Sequence, residues 1–507
     1  MLPTLLLALS VGGCLYGLAC AIYNLYFSPL RHIPGPWYAA VSDFWLWTCL
    51  LRLRQCQIIH GLFEVYGPVV RIGPRRVAFN DVAGVKSVYC VHRLDKSDLY
   101  KMALECGQDH AFCILERGRH AARRKTFAQH YTQRQILEFL PQMQERVVAL
   151  VSILETKNEP VDCLSMFHCL MTDVLLTTTF GAHKDATEKW ASGVEDIVSV
   201  AMEDFPKRGM LRNSLPAWLW RLLTSLPIPR WRRFCVADEI VYKFISDIVD
   251  DVRAQMKAAH DKGKPLPLVK RLIQGNVLSN REIIAETMGH THVYLCRIAG
   301  ADTTAATLSF LCFTLTRRPD IVKRLRDELD GVADNGTDSR DISTLQKLPY
   351  LNVVLKEGEP TLRLYTAVPS LLERVVPHLQ KGDEPFDLLG YTIPGGTIVG
   401  AQSWSLSRDP AVFPSPDEFV PERWLGSDDI TTLQSHSFPF GFGSRICVGR
   451  HLALMMMQLV IAGLVRDFDV EAPPGTDERS MELRDMFAIF PAGLECKVRI
   501  CTVSGNS

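Results

Sequence analysis

The chain has 507 residues, and its 56 Lys plus Arg residues equal its 56 Asp plus Glu residues. This balance argues against a basic nucleic-acid-binding surface, so we predict no nucleic acid as a partner. The 15 cysteines are scattered without a C-x-x-C pair, which supports neither a disulfide framework nor a zinc site and is typical of a reducing compartment.

The amino-terminal segment predicts a membrane anchor. Residues 1–30 carry no charge, and the apolar run from Leu2 to Phe27 is long enough to span a bilayer. The first positive charge is Arg31, so the positive-inside rule places the following domain in the cytosol. An A-x-A-like site at residues 19–21 leaves a cleaved signal peptide as the alternative, although the apolar run continues past that site.

The sequence predicts three parts: an anchor over residues 1–28, a proline-rich hinge over 29–36 and one large domain over 37–507. No Gly/Ser-rich linker and no internal repeat divides the large domain. Its pattern is mostly helical, with strand-like segments near residues 68–79, 390–400 and 487–501. The predicted fold class is therefore mainly α with small β-sheets.

A short basic helix is predicted near residue 120. In the segment H-A-A-R-R, His120 and Arg124 lie four residues apart and share one helical face. By itself such a cluster is typical of a solvated helix surface, so it gains meaning only beside the other motifs.

A second predicted helix carries an acid and a hydroxyl. Residues 281–317 form a long apolar stretch that reads as one helix crossing the core. It contains A-G-A-D-T at residues 299–303, in which Asp302 and Thr303 can relay protons. Alone, a glycine before D-T-T more often marks an ordinary helix cap.

The segment at residues 440–449 reads F-x-x-G-x-R-x-C-x-G. A Cys447 thiolate can ligate a haem iron and push electron density onto it. Arg445 can donate a charge-assisted hydrogen bond to a haem propionate, and the two motif glycines let the backbone pack against the macrocycle. The apolar, helix-forming segment that follows puts the thiolate at a helix N-terminus, where the dipole favours an anion.

With these motifs the sequence resembles the cytochrome P450 family, from about residue 30 to the C-terminus. The A-G-A-D-T segment is similar to the oxygen-activation segment of that family. The resemblance implies a P450-like haem-thiolate fold preceded by one N-terminal transmembrane helix. It also implies a monooxygenase that hydroxylates, epoxidises or similarly oxidises a lipophilic small molecule with dioxygen. Within the family, the sequence resembles members from fungal specialised metabolism, for which terpenoids and polyketides are common substrates.

The resemblance assigns roles to individual residues. Cys447 is the axial ligand of the iron of haem b, and Asp302 and Thr303 manage protons during oxygen activation. The implied haem-binding residues are His120, Arg124, Arg374, Phe440, Gly441, Arg445 and Gly449. The implied substrate pocket includes Ala299, Val368 and Ile489.

Electrons have to come from a partner, because no segment reads as a flavin or dinucleotide domain. By resemblance the donor is a membrane-bound NADPH-cytochrome P450 reductase, which docks near Arg123, Lys125 and Arg450 and makes NADPH an indirect cofactor. The resemblance also implies a single-pass protein of the endoplasmic reticulum membrane. Its N-terminal helix contacts the lipid bilayer and its catalytic domain is cytosolic.

One segment departs from the family pattern. The family has a helix with E-x-x-R, whose two charged residues form a buried triad with the arginine that corresponds to Arg423. In this chain Pro360 stands three residues after Glu357. Glu359 and Arg363, four residues apart, could still meet, although the proline disfavours a helical conformation at Glu359.

Two explanations of this departure stay open. Residues 359–361 are either a genuine insertion or the product of an incorrectly assigned exon boundary, since deleting them restores E-G-L-R. The stretch 291–297 is also longer than the family pattern. Two rival functions also stay open: a haem-thiolate isomerase or dehydratase, against which the Asp302–Thr303 pair argues, and a haem relative inactivated by the interrupted E-x-x-R helix.

Overall fold

The structure is a computed structural model. It describes residues 2–103, 107–182, 185–194, 200–201, 204, 208, 211–212, 215–258, 265–291, 300–333, 341–357, 361–380, 382, 384–426 and 429–503. The side chains of residues 2–9, 102–103, 258, 291, 356–357 and 361–362 lie outside this description.

Helices form most of the described structure. Their bounds are Leu2–Ile22, Trp37–Val41, Phe44–Leu51, Gln55–Tyr66, Val82–Val85, Arg117–Lys125, Gln133–Leu137, Leu140–Glu155, Cys163–Phe180, Ala186–Ala191, Ala217–Thr224, Pro229–Cys235, Ala237–Ala258, Leu268–Gly275, Asn280–Thr291, Asp302–Thr316, Pro319–Ala333, Ile342–Leu345, Pro349–Glu357, Thr361–Leu364, Ser403–Leu406, Ile430–His436 and Arg450–Asp467. Four are named below: the arginine helix (Arg117–Lys125), the flanking helix (Cys163–Phe180), the central helix (Asp302–Thr316) and the thiolate helix (Arg450–Asp467).

Four small sheets accompany the helices. The strands are β1 (Val69–Gly73), β2 (Arg76–Phe79), β3 (Asp95–Lys96), β4 (Val161–Asp162), β5 (Arg374–Val375), β6 (Phe386–Leu388), β7 (Tyr391–Ile393), β8 (Ile398–Gly400), β9 (Phe468–Glu471), β10 (Leu483–Met486), β11 (Ala488–Pro491) and β12 (Lys497–Thr502). The largest sheet has the order β1-β2-β8-β5-β3, and the others are β4-β12-β9, β10-β11 and β6-β7. Strands occur in all three predicted segments, which confirms a mainly helical fold with small sheets.

The central helix lies in the middle of the main hydrophobic core and packs along the flanking helix. Both helices, like the thiolate helix, bury residues on every side. Helices that are apolar all round are stable only when other elements cover them, so these three form the interior against which the remaining helices pack. The site residues on them are consequently held by rigid elements.

The prediction of one continuous helix over 281–317 is wrong. The structure has a helix at Asn280–Thr291 and the central helix at Asp302–Thr316, and residues 292–299 lie outside the described part of the chain. A Cβ built on Gly300 would lie 3.2 Å from the His290 carbonyl oxygen. Ten residues of continuous helix would separate these positions by about 15 Å. Gly300 therefore lies beside the end of the first helix, which excludes one continuous helix over this range.

Two described helices are long and apolar enough to cross a membrane. The segment Ser10–Phe27 is 0% buried, whereas Cys163–Phe180 is 78% buried. The second belongs to the protein core, where a helix of this composition is expected. The first suggests a membrane anchor, though only weakly, because a signal sequence passes the same test.

Candidate functional site

One cavity collects most of the predicted site residues. The space between its walls, together with open solvent at its mouth, amounts to about 1700 Å³, and its wall combines the arginine helix, the central helix and the loop before the thiolate helix. The predicted residues in this wall are His120, Arg124, Thr303, Val368, Arg374, Phe440, Gly441, Arg445, Cys447 and Gly449. The fold thus brings distant sequence motifs to one site.

Cys447 lies in the cavity wall, just before the thiolate helix that Gly449 caps. Its backbone N–H donates to the Phe440 carbonyl at 2.8 Å and so closes the loop. Burial within the protein raises the pKa of the Cys447 thiol, while the Gly449 backbone N–H and the charges of Arg124 and Arg450 lower it in part. A thiolate at this position is therefore best stabilised by a further positive charge, such as a metal ion.

The two glycines of the cysteine motif serve different contacts. Gly443 has φ of +66°, and a Cβ built on it would lie 2.2 Å from the Tyr89 carbonyl oxygen. The Tyr89 backbone therefore excludes a side chain here, which corrects the expectation that both motif glycines face a macrocycle. Gly449 does line the cavity, and a Cβ built there meets no atom within 4 Å. Gly441 also lines the cavity, with φ of +75°.

We expect Gly443→Ala to weaken the loop that carries Cys447, because alanine is strained at positive φ and its Cβ would overlap the Tyr89 carbonyl oxygen. The expected loss is about 1–3 kcal/mol of unfolding free energy, with a lower haem content. Gly118→Ala in the arginine helix is the control, since a Cβ there meets nothing within 4 Å. Thermal unfolding and haem per chain measure both variants, and a Gly443 variant as stable as the control would contradict the proposed contact.

Arg445 crosses from the cysteine loop to the segment before the arginine helix. Its guanidinium donates to the Ile114 carbonyl at 2.7 Å and to the Leu115 carbonyl at 2.6 Å. Burial, together with the neighbouring charge of Arg374, lowers the pKa of Arg445 to about 10. The group is still a cation at neutral pH, and an anion in the cavity would relieve this repulsion.

Two further arginines in the wall are fixed by contacts with neighbouring protein groups. Arg124 donates to the Ile446 carbonyl at 2.8 Å, next to Cys447, and burial lowers its pKa. Arg374 is 4% exposed, and its guanidinium lies 4.9 Å from the centroid of the Tyr89 ring. These contacts orient both cations without neutralising them.

Sequence reasoning missed Lys96, which is a fourth basic side chain in the same wall. Its Nζ donates to the Phe112 carbonyl at 2.6 Å and lies 4.0 Å from the centroid of the Tyr100 ring. Burial lowers the pKa of Lys96 well below its usual value. The β3–β5 pairing places Lys96 opposite Arg374. Because β3 has two residues, no sequence period could have indicated this pairing.

His120 lies among these cations and is 6% exposed. Burial, followed by the charges of Arg445 and Lys96, lowers the pKa of His120 to about 3. It is therefore a neutral hydrogen-bonding group at physiological pH. Together these residues offer one thiol, four basic side chains and a neutral histidine. This set fits haem, which offers an iron for the thiolate and two propionates for the cations.

The structure places the two proton-relay candidates on different sides of the central helix. Thr303 lines the cavity, as do Thr304 and Thr307 from the same helix. Asp302 is not among the described lining residues. Its carboxylate instead contacts Nδ1 of His168 on the flanking helix. The hydroxyl is thus presented to the cavity, and the acid connects it to a neighbouring helix.

Arg363 is the anchor of the segment that precedes the cysteine loop. It is 0% exposed, and its guanidinium donates to the carbonyls of Ser407, Pro416 and Glu418. Arg423 donates to the carbonyls of Pro414 and Ser415 in the same segment. Glu359 and the side chain of Glu357 lie outside the described residues. The two arginines of the expected triad therefore bind one backbone segment.

The predicted substrate pocket needs one correction. Val368 lines the cavity, and Ala299 lies outside the described residues. Ile489 is 5% exposed and packs in the main core, whereas Phe487, two residues earlier, lines the cavity. Phe487 has φ of +72°, so the regular alternation of β11 does not extend to it. The positive φ directs Phe487, and not Ile489, toward the cavity.

Comparisons with known proteins agree with this site. The sequence model described as Cytochrome P450 matches residues 40–498. A cytochrome P450 monooxygenase, stcB, from Emericella nidulans is 30% identical, over 95% of this chain and 90% of its own length. Tryprostatin B 6-hydroxylase from Aspergillus fumigatus is 29% identical, over 90% of this chain and 78% of its own length.

A solved structure shows the same fold. The crystal structure of the cytochrome P450DA heme domain superposes with a TM-score of 0.73 at 20% identity, covering 93% of this chain and 98% of that one. The curated relatives are monooxygenases of fungal secondary metabolism. The thiolate loop, the ring of cations and these matches together show that the chain belongs to the cytochrome P450 family and is an oxidoreductase of the monooxygenase type.

Proposed function

We propose that this protein oxidises a lipophilic secondary metabolite, such as a terpenoid or polyketide, inserting one atom of dioxygen and reducing the other to water. The observation that carries this proposal is the shared wall of one cavity, in which Cys447, four basic side chains and Thr303 face the same space. Haem bound there supplies the redox chemistry of O–O cleavage, which an axial thiolate favours.

Different residues in the wall would hold different parts of haem b. Cys447 would ligate the iron, and Lys96, Arg124, Arg374 and Arg445 would bind the propionates through charge-assisted hydrogen bonds. Phe440, Gly441 and Gly449 would pack against the macrocycle, and neutral His120 would donate a hydrogen bond. The fixed carbonyl contacts of Arg124 and Arg445 orient their guanidinium groups before any ligand binds.

Thr303 and Asp302 would supply protons to the cavity. Thr303 lines the cavity, and Asp302, the preceding residue, contacts the flanking helix. A hydroxyl can pass a proton only if another group restores it, and a carboxyl group one residue away is suited to that task. We therefore propose that Thr303 donates protons to the cavity and that Asp302 returns a proton to Thr303.

Thr303→Ala is expected to retain haem and to lower the product formed per NADPH by about tenfold or more, with the lost electrons appearing as hydrogen peroxide. The reason is that the cavity loses a proton donor, while no haem-holding contact changes. Thr303→Ser, which keeps a hydroxyl, is the matched control. Product and peroxide are measured together against NADPH consumed. Coupled turnover by the alanine variant would remove Thr303 from the mechanism.

Apolar and aromatic side chains form the rest of the cavity wall and support a lipophilic substrate. They include Tyr100, Phe112, Met171, Leu175, Val368, Leu372 and Phe487. Ligand pockets of this kind bind through apolar area and use few polar groups for orientation. One relative is by name a hydroxylase of tryprostatin B. Hydroxylation, epoxidation or a related insertion is accordingly the proposed reaction.

The first test is the reduced, carbon-monoxide-bound difference spectrum of the full chain, followed by turnover of terpenoid and polyketide panels. A red-shifted thiolate band and product that requires reductase and NADPH are the expected results. Absence of the band would favour the inactive relative. Conversion of an oxygenated substrate without NADPH would favour an isomerase or dehydratase.

We further propose that the electron donor is an NADPH-cytochrome P450 reductase. We also propose that the protein lies in the endoplasmic reticulum membrane. Residues 1–28 would form the anchor, residues 29–36 the hinge and residues 37–507 the cytosolic catalytic domain. The exposed apolar segment Ser10–Phe27 supports an anchor. Exposed aromatics follow it at Trp37, Phe44 and Trp47, where a membrane surface would meet the domain.

One predicted reductase contact needs correction. The Arg123 side chain is 9% exposed and pairs with Glu282 at 2.7 Å and Glu286 at 3.5 Å. It therefore ties the arginine helix to the helix Asn280–Thr291 and does not form a docking surface. Lys125 and Arg450 remain the proposed contacts.

A further inference from the structure

Asp302 has a partner that the sequence motifs did not indicate. Nδ1 of His168 contacts Oδ1 of Asp302, which joins the flanking helix to the first residue of the central helix. The side chains are 11% and 13% exposed, so the pair is largely enclosed but still reaches solvent. An enclosed carboxylate needs such a donor, since burial without a partner is unfavourable.

His168 also lies on the same face of the flanking helix as two residues of the cavity wall. Met171 and Leu175, three and seven residues later on the flanking helix, line the cavity wall. Residues at these spacings share one helical face. On the central helix, Thr303 follows Asp302 directly and lines the same cavity. The three residues therefore connect a pair that reaches solvent to the cavity, since His168 contacts Asp302 and Asp302 directly precedes Thr303.

The neighbouring acid on the flanking helix does not compete for His168. Asp173 accepts hydrogen bonds from the backbone N–H groups of Ala186 at 2.8 Å and Thr187 at 2.9 Å, and from the Thr187 hydroxyl. It therefore acts as a structural cap for the next helix. Asp302 is the carboxylate that contacts the His168 ring.

We propose that His168 is a positioning residue that holds the Asp302 carboxylate and supplies it with protons from solvent. This inference rests on the proposed function. Oxidation of a substrate by dioxygen takes up two electrons, delivered by the reductase, and two protons. For each proton, a His168 imidazolium transfers its Nδ1 proton to Asp302, and the carboxyl group passes its proton toward Thr303. The neutral imidazole then takes one proton from water, so the cycle is balanced.

The test compares His168→Asn and His168→Leu with the full-length wild type, using 7-ethoxycoumarin as the probe. Asparagine keeps a donor near the Nδ1 position but cannot carry a proton, and leucine removes both properties. His92→Asn, an exposed histidine outside this pair, is the matched control. Turnover is driven either by NADPH, reductase and dioxygen or by hydrogen peroxide, which brings its own protons and electrons.

With NADPH, both His168 variants are expected to lose about tenfold or more in product per NADPH and to show a larger solvent deuterium isotope effect. With peroxide, the turnover of both His168 variants should stay within about twofold of the wild type. The double variant Asp302→Asn with His168→Asn should form no less product per NADPH than Asp302→Asn alone, because both residues act on one proton path. Thermal midpoints of these four chains should be non-additive, which shows independently that the side chains are coupled.

Three outcomes would overturn the inference. Full coupling in His168→Asn would reduce His168 to a structural donor, and an equal loss with peroxide would indicate damage to the site. Additive thermal midpoints would show that the two side chains do not interact. A wild-type protein without a thiolate band would instead overturn the proposed function itself. Failure of the proposed function can thus be distinguished from failure of the His168 inference.

Discussion

Replacing Cys447 by alanine is expected to abolish the thiolate-type spectrum and all coupled turnover. Among the described cavity-lining residues Cys447 carries the one thiol, beside four basic side chains. No neighbouring described side chain can therefore replace it as the soft, anionic ligand that favours O–O cleavage. The measurement is the reduced carbon-monoxide difference spectrum together with product per NADPH.

Cys501→Ala is the control for this experiment, because Cys501 is exposed on β12 and takes no part in the cavity. It should keep the full band. A red-shifted thiolate band that survives in Cys447→Ala would mean that another cysteine ligates the iron, and the site would have to be redrawn around that residue.

The second large effect is expected from Arg363→Met. Three backbone carbonyls accept from the buried Arg363 guanidinium, and methionine would leave them without these donors. Each buried acceptor that loses its donor costs about 1–3 kcal/mol. Thermal unfolding and haem per chain should both fall sharply, because these carbonyls lie in the segment that leads to the cysteine loop.

A surface arginine provides the comparison for Arg363. The Arg324 side chain is 52% exposed and pairs with Glu422 at 3.1 Å, so Arg324→Met should cost about 1 kcal/mol or less. If Arg363→Met were as stable as Arg324→Met, the buried contacts would contribute little. The E-x-x-R departure at Glu359 and Pro360 would then be harmless for the same reason.

The parts of the site that the sequence predicts are those whose chemistry depends on spacing. Cys447 and Arg445 are two residues apart in a motif whose thiolate and cation have one common ligand, and the structure puts both in one wall. His120 and Arg124 share a helical face for the same geometric reason. Residues whose role depends on tertiary neighbours gave no such signal, as Lys96 shows.

Local backbone geometry explains two of the wrong predictions. The resemblance placed Ile489 in the pocket, whereas Phe487, which takes a positive φ just before β11, lines the cavity. The stretch before Asp302 is apolar enough to read as helix, but periodicity cannot show that Gly300 lies beside His290. Gly443 matched its motif, yet the contact that requires glycine is the Tyr89 carbonyl, which no local pattern reveals.

If Lys96, Arg124, Arg374 and Arg445 bind haem as proposed, the amount of folded protein would depend on the cell's supply of haem. Like charges held together in a buried wall oppose folding, and burial already lowers the pKa of Lys96, Arg124 and Arg445. A dianionic ligand reverses that repulsion and binds the folded chain alone. At 100 times its dissociation constant such a ligand adds about 2.7 kcal/mol of stability. The supply of haem would then determine how much of this protein escapes degradation, even in the absence of substrate.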